Sequence, residues 1–241
     1  MRSVIVVGIT LSLCVAPAWA QLDKLKEKLG LEESDTGSDV SENDTVSGLK
    51  EALRIGAEKA VQLTGQEDGY FERAAIKIPM PEELEPLEKG LRRLGQGDMV
   101  DEFVLGMNRA AEQAAPFAKD IFWDAIKQMD FANAREILAG SDTAATDYFR
   151  TTTSDQLSEA FLPVVKESMQ TVGVTRQYEK MMDRYQSVPF AKSISFDVDQ
   201  YTVDKALDGL FYMLAEEEGK IRTNPAAQVT DLLKKVFGQE K

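Results

Sequence analysis

The sequence predicts an all-α protein, a single bundle-like domain of roughly seven to nine helices. Three observations carry this expectation. Apolar residues recur at helical spacing along the stretch 46–238. The pattern is clearest between Asp98 and Leu138, where Val100, Phe103, Val104, Met107, Ala110, Ala111 and Ala114 follow the i, i+3, i+4, i+7 rule of one helix face. Helix punctuation, with Ser, Thr, Asp or Pro at starts and Gly at ends, divides that stretch at intervals. No run alternates with the period of two that a half-buried strand requires. With 241 residues, 43% of them apolar, the chain can bury a sizeable core.

Taken in order, residues 1–20 read as a secretory signal peptide. Arg2 supplies the positive start, Val4 to Val15 an apolar run too short to span a membrane, and Ala18-Trp19-Ala20 a small-x-small cleavage pattern that leaves Gln21 as the mature start. Lipidation at Cys14 is set aside, because in Leu11-Ser12-Leu13-Cys14 a bulky leucine, Leu13, stands where such signals want a small residue, and Ala20/Gln21 is the cleaner site. The expected location is the periplasm or the exterior. No later segment approaches the about 20 apolar residues of a membrane-spanning helix. Residues 21–45 combine a short amphipathic segment, Leu22 to Leu31, with an acidic stretch, Glu32 to Ser47, too poor in apolar residues to order itself. Its carboxylates do not make a calcium loop, since Gly37 stands where a ligand belongs.

The helical domain is expected over 46–238, followed by a tail at 239–241. Val46, Leu49, Leu53, Ala57, Ala60 and Val61 trace the first face, which ends by Gly65. Pro81 suits an N1 position with Glu82 and Glu83 in the first turn, and Pro86 marks a possible second start. Leu84, Leu87, Leu91 and Leu94 form that helix's face, closed by Gly95 or Gly97. Asp98 is read as the N-cap of the central element. Its stripe keeps phase past Pro116 through Ala118, Ile121, Phe122, Ala125 and Met129, which predicts two collinear helices or one kinked helix. Asp130 caps a short helix with Phe131, Ala134, Ile137 and Leu138 inward and Gly140 at its end. A helical stretch at Asp142 to Thr151 precedes Thr153-Ser154-Asp155-Gln156, a capping box for a new helix carrying Leu157, Phe161, Val164, Val165 and Met169 and ending at Gly173. Thr175 caps the next helix, with Tyr178, Met181, Met182 and Tyr185. A loop follows at Ser187 to Asp197, then a long helix from Val198 to Ile221. Asn224-Pro225 starts a last helix with Val229, Leu232, Leu233, Val236 and Phe237 on its face.

Composition excludes more chemistry than it suggests. There is no histidine, and the one cysteine, Cys14, lies in the leader. Histidine-dependent triads and bases, thiol nucleophiles, disulfides and Cys/His zinc sites are therefore not expected. The net charge of −13 opposes nucleic acid and anionic lipid, so no nucleic-acid partner is expected. Carboxylates are the abundant acid–base groups left. Asp204 and Asp208 are spaced i, i+4, and Glu216-Glu217-Glu218 lie on the same predicted helix, but a solvated acidic face is the expected role of both sets. Ser47 and Lys50 have the bare Ser-x-x-Lys spacing without its partner motifs, and Ser47 is expected to cap a helix. Gly95-Gln96-Gly97 reads as a helix end rather than a phosphate loop. Met107, Met129, Met169, Met181, Met182 and Met213 are expected to fill the core. Tyr148, Phe149, Tyr178 and Tyr185 line either a pocket or the core. Asn108, Arg109, Arg150 and Lys205 beside apolar stripes either meet an anion or pair with carboxylates, and pairing is favoured. No catalytic residue, metal ligand or cofactor is expected from these residues.

The strings GLKEALRIGAEKAV (Gly48 to Val61), IKIPMPEELEPLEKGLRRLGQG (Ile76 to Gly97), VDEFVLGMNRAAEQAAP (Val100 to Pro116), FWDAIKQM (Phe122 to Met129), DTAATDYFR (Asp142 to Arg150), KALDGLFYMLAEEEGKIR (Lys205 to Arg222) and TDLLKKVFG (Thr230 to Gly238) occur in one order. In this the chain resembles the bacterial domain-of-unknown-function 4197 family. The resemblance implies an exported, predominantly helical protein and no activity. The expected function is that of a non-catalytic extracytoplasmic protein binding a protein partner or an apolar ligand. The alternatives are a carboxylate-based enzyme, with magnesium or calcium as a possible aid, and a structural envelope protein without a ligand.

Overall fold

The periodicity condenses into eight α-helices among the residues that the computed structural model describes, 42–171, 173–186 and 196–223. The helices are α1 (Glu42–Gly65), α2 (Glu85–Arg93), α3 (Gly97–Ala114), α4 (Ala118–Gln128), α5 (Phe131–Ala139), α6 (Ala144–Thr171), α7 (Val174–Gln186) and α8 (Val198–Thr223). Short 3-10 turns at Glu82–Leu84 and Ala115–Phe117 lead into α2 and α4. No strand occurs among the described residues, and the all-α expectation holds. The leader, its cleavage site at Ala20 and Gln21, the segment up to residue 41, most of the loop after Ser187 and the helix expected after Asn224 lie outside the described residues.

The helix α3 is the centre of the domain, packed against α1, α2, α6, α7 and α8. Its stripe of Val100, Phe103, Met107, Ala110, Ala111 and Ala114 is fully buried. Small residues let neighbouring backbones approach while Phe103 and Met107 fill the gaps between them. Pro116 does not reverse the chain. Ala114, Ala115, Phe117 and Ala118 all keep right-handed helical dihedrals, so α3 tightens into a 3-10 turn and resumes as α4. Around this spine, α8 lies along both α1 and α6, and α4 packs on α1 and α6. One continuous apolar core results, including Phe122, Phe149 and Phe211, whose rings meet edge to face at 5.0 and 6.2 Å.

Several local expectations are corrected. The first helix starts at Glu42, inside the stretch read as acidic linker, so Ser47 is an interior helical residue and not a cap. Asp98 is not the N-cap of α3. Gly95 takes a φ of +72°, the Gly95 and Gln96 amides donate to the Arg92 and Leu91 carbonyls, and this Schellman turn brings the chain back into helix at Gly97 with Asp98 in the first turn. Thr175 likewise sits inside α7, which begins at Val174. Leu94 and Phe131, expected inside, are 63% and 38% exposed. Leu94 falls at the α2 C-cap, where the chain turns away, and Phe131 is the first residue of α5, before that helix's face meets the core.

The largest correction is α6, one helix of 28 residues where a break at Thr153 is expected. The hydroxyls of Thr151, Thr152, Thr153 and Ser154 each donate to the carbonyl four residues back, so they close on the helix instead of capping a new one. The buried row is Ala145, Phe149, Thr153, Leu157, Phe161, Val165 and Met169, a strict spacing of four. Against 3.6 residues per turn that row drifts by about 40° per step, so the core-facing strip winds around the helix. A winding strip resembles two shorter helices when the pattern is read window by window.

Candidate functional site

Two buried carboxylates hold the fold together. Glu112 lies on α3 among alanines, and its Oε1 accepts the amides of Tyr70 and Phe71 at 3.1 and 3.3 Å. Its Oε2 accepts Arg109 Nη1 at 2.6 Å, and Arg109 also donates to Asp68 at 2.7 Å. The hydrogen bond to Glu112 is the main cause of the raised Arg109 pKa, so the guanidinium stays charged. Asp68 takes a φ of +62°, a left-handed conformation that its bond to Arg109 helps to hold. One turn back, Asn108 is completely buried and pairs with Ile78 as a strand neighbour would, accepting its amide and donating to its carbonyl, both at 2.9 Å. The segment between α1 and α2 is thereby fastened to the spine. Tyr70 adds a bond from its hydroxyl to the Ala206 carbonyl at 2.7 Å and sits directly over Gly209.

The second carboxylate is Glu218 on α8, 7% exposed. It accepts the amides of Ala145 and Thr146 at 3.0 and 2.8 Å, the Thr146 hydroxyl at 2.8 Å, and Arg222 Nε and Nη2. Ala145 and Thr146 belong to the first turn of α6, so Glu218 caps a helix from another helix. Arg222 extends the network to the Ile137 carbonyl at 3.0 Å.

The remaining candidates resolve the same way. Arg150 and Lys205 are brought together on Asp208 at 3.6 and 3.7 Å, and the Arg150 guanidinium lies 4.5 Å from the Phe211 ring centroid. They pair with a carboxylate, as Arg109 does with Glu112 and Asp68. Asp204 accepts from Gln200 rather than joining Asp208, Glu217 pairs with Lys220, and Glu216 is exposed. Lys50 Nζ reaches the Lys127 carbonyl at 3.5 Å, away from Ser47. The six candidate methionines are all buried core. Among the described residues no cluster of three or more carboxylate, thiol or imidazole groups is arranged to hold a metal. No motif in the sequence marks Glu112. An isolated glutamate between Ala110, Ala111, Ala114 and Ala115 was the available signal.

Among the described residues, two surface cavities are large enough for a small molecule. One, of about 450 Å³, runs between α5 and α6 past Asn133, Glu136, Ile137, Ser141, Asp147 and Tyr148. Most of its polar side chains are engaged by the fold. Asn133 closes the capping box with Asp130, Asp147 accepts from Thr143, and Thr151, Thr152 and Tyr148 donate to backbone carbonyls. The other, of about 350 Å³, is lined by Met169 of α6, Thr175 and Tyr178 of α7, and Phe196, Asp197, Val198 and Asp199 at the start of α8. Here Asp197 caps α8 by accepting the Gln200 amide at 3.0 Å. No hydrogen bond to the Asp199 carboxylate is seen among the described residues, and burial, helped by the neighbouring Asp197 charge and opposed by Lys166, raises its pKa. Burial also raises the Tyr178 hydroxyl. Of these residues Tyr178 and Met169 stand out in the sequence, Asp197 falls at the end of the expected loop, and no pattern marks Asp199.

No curated protein and no solved structure matches the chain. The family described as "protein of unknown function (DUF4197)" matches residues 39–238, which takes in every described helix, and the chain belongs to that family.

Proposed function

We propose that the protein is a non-catalytic extracytoplasmic binding protein, exported by its leader, with its ligand seat between α6, α7 and the start of α8. The observation that carries the reading is the make-up of one cavity. In the 350 Å³ cavity the half-buried Asp199 carboxylate and Tyr178 hydroxyl stand beside Met169, Phe196 and Val198, and no hydrogen bond to either group is seen among the described residues. Half-buried polar groups cost stability unless something satisfies them, and a bound molecule is one way to do so.

Acid–base catalysis finds less support. It needs two carboxylates free to exchange protons, and the carboxylate of Asp197 is engaged as a helix cap. Native mass spectrometry of the protein purified from its own cell envelope tests the reading. A co-purifying molecule or partner, lost when Tyr178 and Asp199 are replaced together, is the expected result. A bare chain under conditions that preserve known ligand complexes contradicts it.

A further inference from the structure

The ligand class of this seat follows from its charges and its walls, on the premise that the seat binds a ligand at all. We infer that the α6–α7–α8 cavity takes a small organic cation, an ammonium group on an apolar stem, with Asp199 as its counter-ion and Tyr178 and Phe196 as its aromatic walls.

Among the described residues two carboxylates and no basic side chain line the cavity, which disfavours an anion. The N-terminus of α8 does not reverse this. Asp197 occupies it through the Gln200 amide, and Asp199 adds a second negative charge in the first turn. A neutral apolar molecule would remove water from Asp199 without supplying a countercharge, and that burial is unfavourable. A cation removes the same water and replaces it with an ion pair. The wall chemistry points the same way. Tyr178 is held by stacking on Phe103, with centroids 6.0 Å apart, and Phe196 by an edge contact with Tyr201 at 5.5 Å. Rings fixed in this way offer a cation their negative faces without first being ordered. Met169 and Val198 complete an apolar surface for the stem. Lys166 acts on Asp199 from α6 but does not line the cavity, so among the described residues no cation takes the cavity side of the carboxylate.

The test uses the full exported chain and three probes of one shape, n-hexylamine, 1-hexanol and hexanoate, titrated by calorimetry with saturation-transfer NMR. Hexylamine should bind saturably, and more weakly as salt is added. Hexanol and hexanoate should bind about tenfold more weakly or not at all, the difference expected of a partly buried ion pair with a ring contact. Asp199→Asn, which removes the charge at nearly constant volume, should weaken hexylamine about tenfold and leave hexanol unchanged. Tyr178→Leu should weaken hexylamine while thermal unfolding shows the fold intact, and Asp147→Asn in the other cavity should change nothing. Equal binding of all three probes, or hexylamine binding indifferent to Asp199→Asn, overturns the cation assignment and leaves a seat of another specificity. Silence from all three probes removes both the assignment and the seat.

Discussion

Replacing Glu218 by alanine should destabilise the domain by about 4 kcal/mol, more than any surface carboxylate can. The substitution strips the acceptor from two amides in the first turn of α6 and from the Thr146 hydroxyl. Each buried donor left unmet costs about 1–3 kcal/mol. It also leaves Arg222, whose side chain is only 13% exposed, without its carboxylate, and breaking a buried pair from one side costs about 3–5 kcal/mol. The two figures describe overlapping losses, and Arg222 can turn partly toward water, so about 4 kcal/mol is taken for the whole. Domains hold about 5–15 kcal/mol in reserve, so the variant should still fold at room temperature. At about 2–4 °C per kcal/mol for a domain of this size, the unfolding midpoint should fall by about 8–16 °C. Circular dichroism at the helical band measures it, with Glu216→Ala, exposed on the same helix, as the control expected within about 0.5 kcal/mol. Glu218→Gln keeps one oxygen and should lose about half as much. A Glu218→Ala midpoint indistinguishable from Glu216→Ala would refute the inter-helix cap.

Four further expectations follow. Gly209→Ala puts a methyl 2.6 Å from the Tyr70 ring, which is itself tied to Ala206, and should cost about 1–3 kcal/mol by urea unfolding. Gly90→Ala meets nothing within 4 Å in the middle of α2 and should stabilise by about 0.5–1 kcal/mol. Asn108→Ala leaves the Ile78 amide and carbonyl unpaired, costs about 2–4 kcal/mol, and should speed hydrogen exchange at Ile78 before the rest of the core. Asp199 has its folded pKa raised above the ordinary 3.8, so it favours the folded state when protonated, and that contribution is lost as pH rises through the folded value. Asp199→Asn should therefore raise the unfolding midpoint at neutral pH, with the gain fading as pH falls below about 4.

The helices were legible because helical periodicity is local. The stripe of α3 and its passage through Pro116 need no knowledge of the partners it packs on, and the same holds for the Asp130 cap of α5, which the structure shows as a full capping box with Asn133. Legibility failed where one helix changes neighbours along its length. The core-facing row of α6 winds from Ala145 to Met169, and the threonine and serine hydroxyls at its middle look like a start signal although they close on the helix itself. It failed again at helix starts set by a preceding turn, as Asp98 shows after the Gly95 turn.

By itself the sequence determined an all-α chain and ruled out every chemistry that needs histidine, because both follow from composition and from spacing within a few residues. Only the tertiary structure decided what the carboxylates do. Glu218 finds its amides 72 and 73 residues away and Glu112 finds its own 41 and 42 residues away, whereas no donor to Asp199 is seen among the described residues. Those partners lie on other elements, and whether a charge is satisfied depends on which groups packing brings within about 3 Å, a distance that no periodicity along the chain encodes.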